Sequence, residues 1–253
     1  MTHPVLERIV RDLERRGDKL EAQAIQAVIR AYGDLDLAQL IALLRAATEA
    51  DTPLARVKYM DDLMDAFDKA AASLAEPPDT LARAVREAVQ SGVTGTTEMF
   101  AASQVVTDAF TVPATLQLRF REHALARMND FWAAESPRFR AEVQGAVYDG
   151  LERGQNIDQI TKRIKDRAGV SRSRATLIAR NEVGHAAAFA MRESQKEAGL
   201  TEYIWRTASD NRVRKEHKKR DGKTFSWDDP PAGGHPGEDY QCRCVALAVI
   251  PDD

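Results

Sequence analysis

At 253 residues, with 43% hydrophobic and 30% charged residues and a net charge of −3, the chain has the composition of a folded protein of one large domain or two smaller ones, which excludes wholesale disorder. No run of about 18 apolar residues is present, which excludes a helical membrane span, and the amphipathic start MTHPVLERIVRDLERRGDKL lacks the apolar stretch and cleavage site of a secretory signal. Synthesis and folding are therefore expected in a cytoplasm, and the two cysteines, Cys242 and Cys244, exclude a disulfide framework and leave metal ligation or plain burial.

Residues 4–74 read as helices. Val5, Leu6, Ile9, Val10 and Leu13 recur at three to four residues, as do Ile25, Val28 and Ile29, then Leu37, Leu40, Ile41 and Leu44. Gly17-Asp18 and Gly33-Asp34 each read as a C-cap glycine followed by an N-cap aspartate, so both are expected to break the run and to join antiparallel helices. Glu76-Pro77-Pro78-Asp79 is the clearest early boundary, because two prolines cannot continue a helix. A helix restarts at Thr80, and SGVTGTT at 91–97 is expected to form a flexible joint. The next helix is expected from Pro113 to about Ala134 with a stripe of Leu116, Phe120, Ala124 and Met128, and Ser136-Pro137 marks another start.

Further on, Asn156 and Gln159 have the spacing of a capping box that opens a helix carrying Ile160 and Ile164 and stopping at Gly169. Ser171 then opens a long helix through Leu177, Ile178, Val183, Ala187 and Met191 to a stop at Gly199. After it, TEYIWRTAS alternates and is rich in β-formers, with Trp205 as sheet core, and Phe225–Trp227 and Arg243–Val249 are candidate partners. The fold class expected is therefore α+β: mainly helical over the N-terminal two thirds, then a long helix and a small antiparallel sheet with a Cys/His-containing loop. The segments divide as 1–76, 79–140 and 141–253.

Charge is uneven, with 18 Lys+Arg against 9 Asp+Glu between Arg153 and Lys223. Arg163, Lys165, Arg172, Arg174, Arg212, Arg214, Lys215, Lys218, Lys219 and Arg220 are candidate contacts to DNA or to an acidic protein surface, against the plainer reading of a solvated basic face. Within this block ITKRIKDRAGVSRSRATLIAR resembles a helix-turn-helix, which would read a duplex sequence through arginines in the major groove. The second helix is long for that motif, and Glu182 would face phosphates.

The ordered set formed by the IARNE helix, the strand with Trp205, the D-x-R-V-R-x-x-H segment at 210–217, the D-G-K-x-F turn at 221–225 and the closing HPG-x-x-x-x-CRC resembles the phage head morphogenesis domain typified by the phage Mu F protein, over roughly residues 145–250. The resemblance implies a non-enzymatic structural minor head protein of a tailed phage or prophage. It would be synthesised in the host cytoplasm and located in the virion, in the head interior or near the portal. Its implied partners are the portal protein, other capsid or scaffold proteins and non-specific double-stranded DNA, with no membrane.

The loop from Trp227 to Gln241, rich in Pro and Gly, needs something to hold it. His217, His235, Cys242 and Cys244 form a candidate tetrahedral zinc set of two imidazoles and two thiolates, so a structural zinc is the candidate cofactor. Some members of the resembled family carry Cys-x-x-Cys where this chain has Arg214 to His217. The competing reading packs the cysteines as small hydrophobes on a strand, with the histidines capping turns. His217, Asp221, His235, Glu238 and Asp239 are also residue types that bind a catalytic metal, so a nuclease or toxin-like domain is a further alternative. Arg180 and Glu182 are expected to pair with the Asp210-Arg212 segment and pin the long helix to the sheet.

Overall fold

The computed structural model describes residues 4–35, 37–50, 52–103, 110–168, 172–208 and 210–250. Described helices are α1 (Pro4–Gly33), α2 (Ala38–Glu49), α3 (Pro53–Ala72), α4 (Asp79–Ala102), α5 (Ala114–Ala133), α6 (Glu135–Glu152), α7 (Ile157–Ala168), α8 (Arg172–Glu197) and α9 (Lys215–Arg220). Strands β1 (Glu202–Arg206), β2 (Thr224–Ser226) and β3 (Val245–Ala248) form one antiparallel sheet in the order β2-β1-β3. The α+β class, mainly helical with a small C-terminal sheet, is the one the sequence indicates. No helix among the described residues is long and apolar enough to cross a membrane.

The chain forms two compact units, one from residues 1–25, 80–128 and 176–253, the other from 26–79 and 129–175. In the second, α2 packs on α3, α7 on α6, α3 on α6 and α2 on α7. Its polar centre is Glu135, fully buried, which accepts hydrogen bonds from Tyr32 Oη, from Arg138 Nη2 at 2.7 Å and from Arg174. The capping box that opens α7 is present: Asn156 N–H donates to Gln159 Oε1 at 3.0 Å and Gln159 N–H to Asn156 Oδ1 at 2.9 Å. Ile160 and Ile164 are fully buried. Gly169 and Ser171, expected to stop this helix and open the next, lie outside the described residues.

Three expected breaks take another form. α1 runs unbroken through Gly17, because Leu13 and Leu20 continue its buried face across the glycine and an interior glycine costs only about 1 kcal/mol. The expected joint at 91–97 is the middle of α4, and its small residues serve close packing instead of flexibility. A Cβ on Gly92 would lie 2.2 Å from the Ala187 carbonyl oxygen of α8, and Thr96 Oγ1 donates to Met191 O at 3.4 Å. Ser136 does not cap α6, which opens one turn residue after α5 at Glu135; its hydroxyl donates to Ala71 O at 2.7 Å.

The first unit places α8 against α1, α4 and α5 and sets the sheet behind it. Phe189 of α8 meets Phe120 of α5 edge-on at 5.8 Å, and Leu13 of α1 lies against Gly95. A buried cluster then joins Ile9, Val10, Met99 and Met191 to Tyr203, Trp205, Trp227, Cys242 and Cys244. The C-terminal stretch is thus core, not an appended tail.

Candidate metal centre

β1, the central strand, turns Tyr203 and Trp205 into the core, where both are fully buried. Past β1 the chain returns through the single-turn helix α9, which carries His217, 5% exposed, with its ring edge-on to Trp205 at 5.2 Å. Cys244 directly precedes β3, and Cys242 lies two residues earlier, so one short segment supplies both sulfurs. The approach to Cys242 is fixed by backbone. Gln241 adopts the left-handed region at φ 54°, unusual for a residue with a Cβ, and its N–H donates to Asn181 Oδ1 of α8 at 2.9 Å. Gly237, at φ 87°, passes so close to α8 that a Cβ there would lie 2.2 Å from that of Ala188.

The three donors converge. His217 Nδ1 is 3.6 Å from Cys242 Sγ and 3.5 Å from Cys244 Sγ, and all three donor atoms lie within 4.8 Å of one another. A tetrahedral zinc with Zn–S of about 2.3 Å and Zn–N of about 2.0–2.1 Å requires N···S separations of about 3.5 Å. Without moving, the chain offers those separations, so these residues could hold a metal ion. The Gly237 N–H points at Cys242 Sγ at 3.4 Å. A hydrogen bond from Cys244 pulls the Cys242 thiol down to about 6 against the opposing effect of burial, with the Cys244 and Gly237 amides adding to it. Cys244, the donor of that bond and itself buried, is pushed up. A bound cation would replace the shared proton and take both sulfurs as thiolates.

On the other side of the ring, His217 Nε2 lies 3.6 Å from Asp239 Oδ2, the carboxylate-to-imidazole arrangement that orients a metal-ligating histidine. Asp239 is held in turn by Arg214 Nη1 at 2.6 Å, and Arg214 Nη2 donates to Tyr240 O at 2.6 Å.

His235, the fourth residue of the expected zinc set, stands apart from this group. The positive-φ turn through Gly233 and Gly234 sends its buried ring among the aromatics: Nδ1 is 3.0 Å from Tyr203 Oη, and the ring centre is 5.0 Å from that of Trp227. The catalytic-metal set is likewise dispersed. Asp221 accepts from Thr207 N–H at 2.7 Å, while Glu238 accepts the His235 N–H at 2.8 Å and pairs with Arg192. The expected pairing of Arg180 and Glu182 with the 210–212 segment is replaced by other partners. Arg180 Nε bonds Glu21 Oε2 of α1 at 2.9 Å, Glu182 accepts from Arg127 Nη1 of α5 at 2.6 Å, and Asp210 receives Arg212 and Arg243. At this point of the long helix Arg180 and Glu182 face α1 and α5, while Asn181 between them reaches the C-terminal loop, as Ala188 and Arg192 do further along.

Of the basic candidates, Lys215, Lys218 and Lys219 of α9 are exposed beside Arg212 and Arg214, whereas Arg220 is half-buried over Trp205 and donates to Ala232 O at 2.6 Å. Arg163 and Lys165 lie on α7, Arg174 is committed to Glu135, and the Arg172 side chain lies outside the described residues. The Gly-Val-Ser turn of the helix-turn-helix reading also lies outside them. Glu182, 2% exposed, is engaged with Arg127 within the core.

Residues 141–247 match the family described as Phage Mu protein F like protein. The matched stretch contains α8, nearly all of the sheet and the three residues that could hold a metal, His217, Cys242 and Cys244. A Haemophilus influenzae protein described as uncharacterized is 36% identical over 110 residues, covering 43% of this chain and 25% of the relative. "Minor head protein GP7" of Bacillus phage SPP1 is 31% identical over 121 residues, covering 42% of this chain and 39% of the relative. The chain thus spans well under half the length of these curated relatives. No solved structure matches it.

Proposed function

We propose that this chain is a structural, non-enzymatic minor head protein of a tailed phage or prophage, located in the virion near the portal and serving head assembly and DNA packaging or delivery. The observation that carries this reading is the family match over 141–247, supported by the likeness to a minor head protein. Its head-morphogenesis module is residues 141–253, preceded by helical regions 1–76 and 79–140. Within the module, a zinc ion on His217, Cys242 and Cys244 staples α9 to β3 and so holds a loop that has little regular structure of its own. The portal protein is the principal partner, alongside capsid or scaffold proteins. Mixing the purified chain with the portal protein from the same genome should give a complex on size exclusion, and two independently migrating species would contradict the portal assignment.

Non-specific double-stranded DNA is the second partner, met through Arg212, Arg214, Lys215, Lys218 and Lys219. Such binding is driven by counterion release, so affinity should fall linearly on a log–log salt plot with a slope of roughly −0.9 per phosphate contact. A Lys215→Glu/Lys218→Glu/Lys219→Glu variant should flatten that slope by about 3. Sequence preference with a fixed half-site spacing would instead favour the helix-turn-helix reading, and turnover of DNA lost on His217→Ala would favour a nuclease.

A further inference from the structure

A closed structural zinc site has four protein ligands, whereas a site with three keeps its last position for a ligand from outside. Here the donor group is His217, Cys242 and Cys244, and no further His, Cys, Asp or Glu joins it among the described residues. His235 is engaged with Tyr203, and Asp239 with the far nitrogen of His217.

All three donors line one cavity of about 260 Å3, and Arg180, Arg212, Arg214 and Arg243 line it with them. Four arginines lining the same cavity as the metal donors favour an anion there. Their partners, Glu21, Asp210, Asp239 and the Tyr240 carbonyl, take only part of the five N–H groups each guanidinium offers. The volume lies just under the roughly 300 Å3 at which pockets for drug-sized ligands begin, which suits a small oxyanion better than a nucleoside. The planar fork of arginine matches phosphate oxygens in pairs.

We propose that the metal held by His217, Cys242 and Cys244 takes a phosphate oxygen as its fourth ligand, with Arg212 and Arg243 binding the remaining oxygens. The proposal rests on the metal reading given above and adds to it that the centre is open on its arginine side. The phosphate can be a free ion or a phosphodiester of DNA, and the chemistry at the metal is the same.

Cobalt(II) in place of zinc separates the possibilities, because its visible absorption reports changes in the coordination sphere. The full chain loaded with cobalt is titrated with inorganic phosphate and, separately, with a short DNA duplex, using chloride at matched ionic strength as the control. A saturable spectral change with phosphate, absent with chloride, is expected. Its midpoint should rise about tenfold or more in Arg212→Gln, the loss of a charge-assisted contact by an exposed residue. The same change with duplex identifies the DNA backbone as a source, and a change with inorganic phosphate alone identifies the free ion. Bound cobalt whose spectrum responds to neither overturns the open position while leaving the metal staple intact. A chain that binds no cobalt and no zinc overturns both.

Discussion

Two glycines on neighbouring helices should respond to alanine in opposite directions. At Gly92 a Cβ would lie 2.2 Å from the Ala187 carbonyl oxygen and 3.0 Å from both the Ala190 Cβ and the Met191 nitrogen. Two of these atoms belong to the backbone of α8, so no side-chain rotation relieves the clash and α4 must move away. Overpacking typically costs about 1–3 kcal/mol, and against backbone that cannot rotate away the cost lies at the upper end, about 2–3 kcal/mol, of which the gain in helix propensity returns about 1 kcal/mol. For a protein of this size each kcal/mol moves the melting temperature by about 2–4 °C, so Gly92→Ala should melt roughly 2–8 °C lower. At Gly17, inside α1, a Cβ meets nothing within 4 Å. Gly17→Ala should therefore raise the melting temperature by about 2–4 °C through propensity alone. Thermal melts by circular dichroism, with urea titrations for ΔG, would measure both. A Gly92→Ala protein as stable as the wild type would refute the close approach of α4 and α8, and a destabilised Gly17→Ala would refute the continuous α1.

Arg180→Ala should cost about 3 kcal/mol by urea titration, because it strands the Glu21 carboxylate, 7% exposed, without its partner. A double-mutant cycle with Glu21→Leu should recover much of that loss. The Glu135 pKa is pushed up by burial, but the hydrogen bonds from Tyr32, Arg138 and Arg174 outweigh this and hold it below its ordinary 4.5. Its stabilising effect is therefore complete above about pH 4.5 and is lost as pH falls through the lower folded-state value. Glu135→Gln should be less stable at neutral pH and show a shallower acid loss in the same titration. His185 behaves as a base held neutral: burial, with Arg127 adding and Glu238 and Asp239 opposing, pulls its pKa from 6.5 to about 4. Between those values the unfolded chain binds the extra proton, so stability should rise with pH across this window, and His185→Gln should flatten that rise.

The C-terminal half was the more legible because its signals are local. The β-branched and aromatic alternation of TEYIW, the Asn156/Gln159 spacing and the HPG-to-CRC pattern each act over a few residues, and all three elements stand where that pattern puts them. What escaped depends on distant partners. Gly17 and Gly92 are the same residue type, yet only the approach of α8 gives Gly92 a reason to be glycine. His235 has the right chemistry for a ligand, and it is Tyr203 and Trp227, about thirty residues or fewer away in sequence but adjacent in space, that claim it. Asn181 and Asp239 shape the donor group through one hydrogen bond and one imidazole contact. Asn181 sits inside the IARNE motif, where a polar residue between Arg180 and Glu182 was the available clue.

The metal content of the purified chain, measured by mass spectrometry together with Cys242→Ser/Cys244→Ser and His235→Ala variants, tests the central claim most directly. The account predicts about one zinc per chain, lost in the cysteine variant together with stability and retained in His235→Ala. Absence of metal with an unaffected cysteine variant would contradict it, and so would loss of zinc on His235→Ala in a protein that still folds.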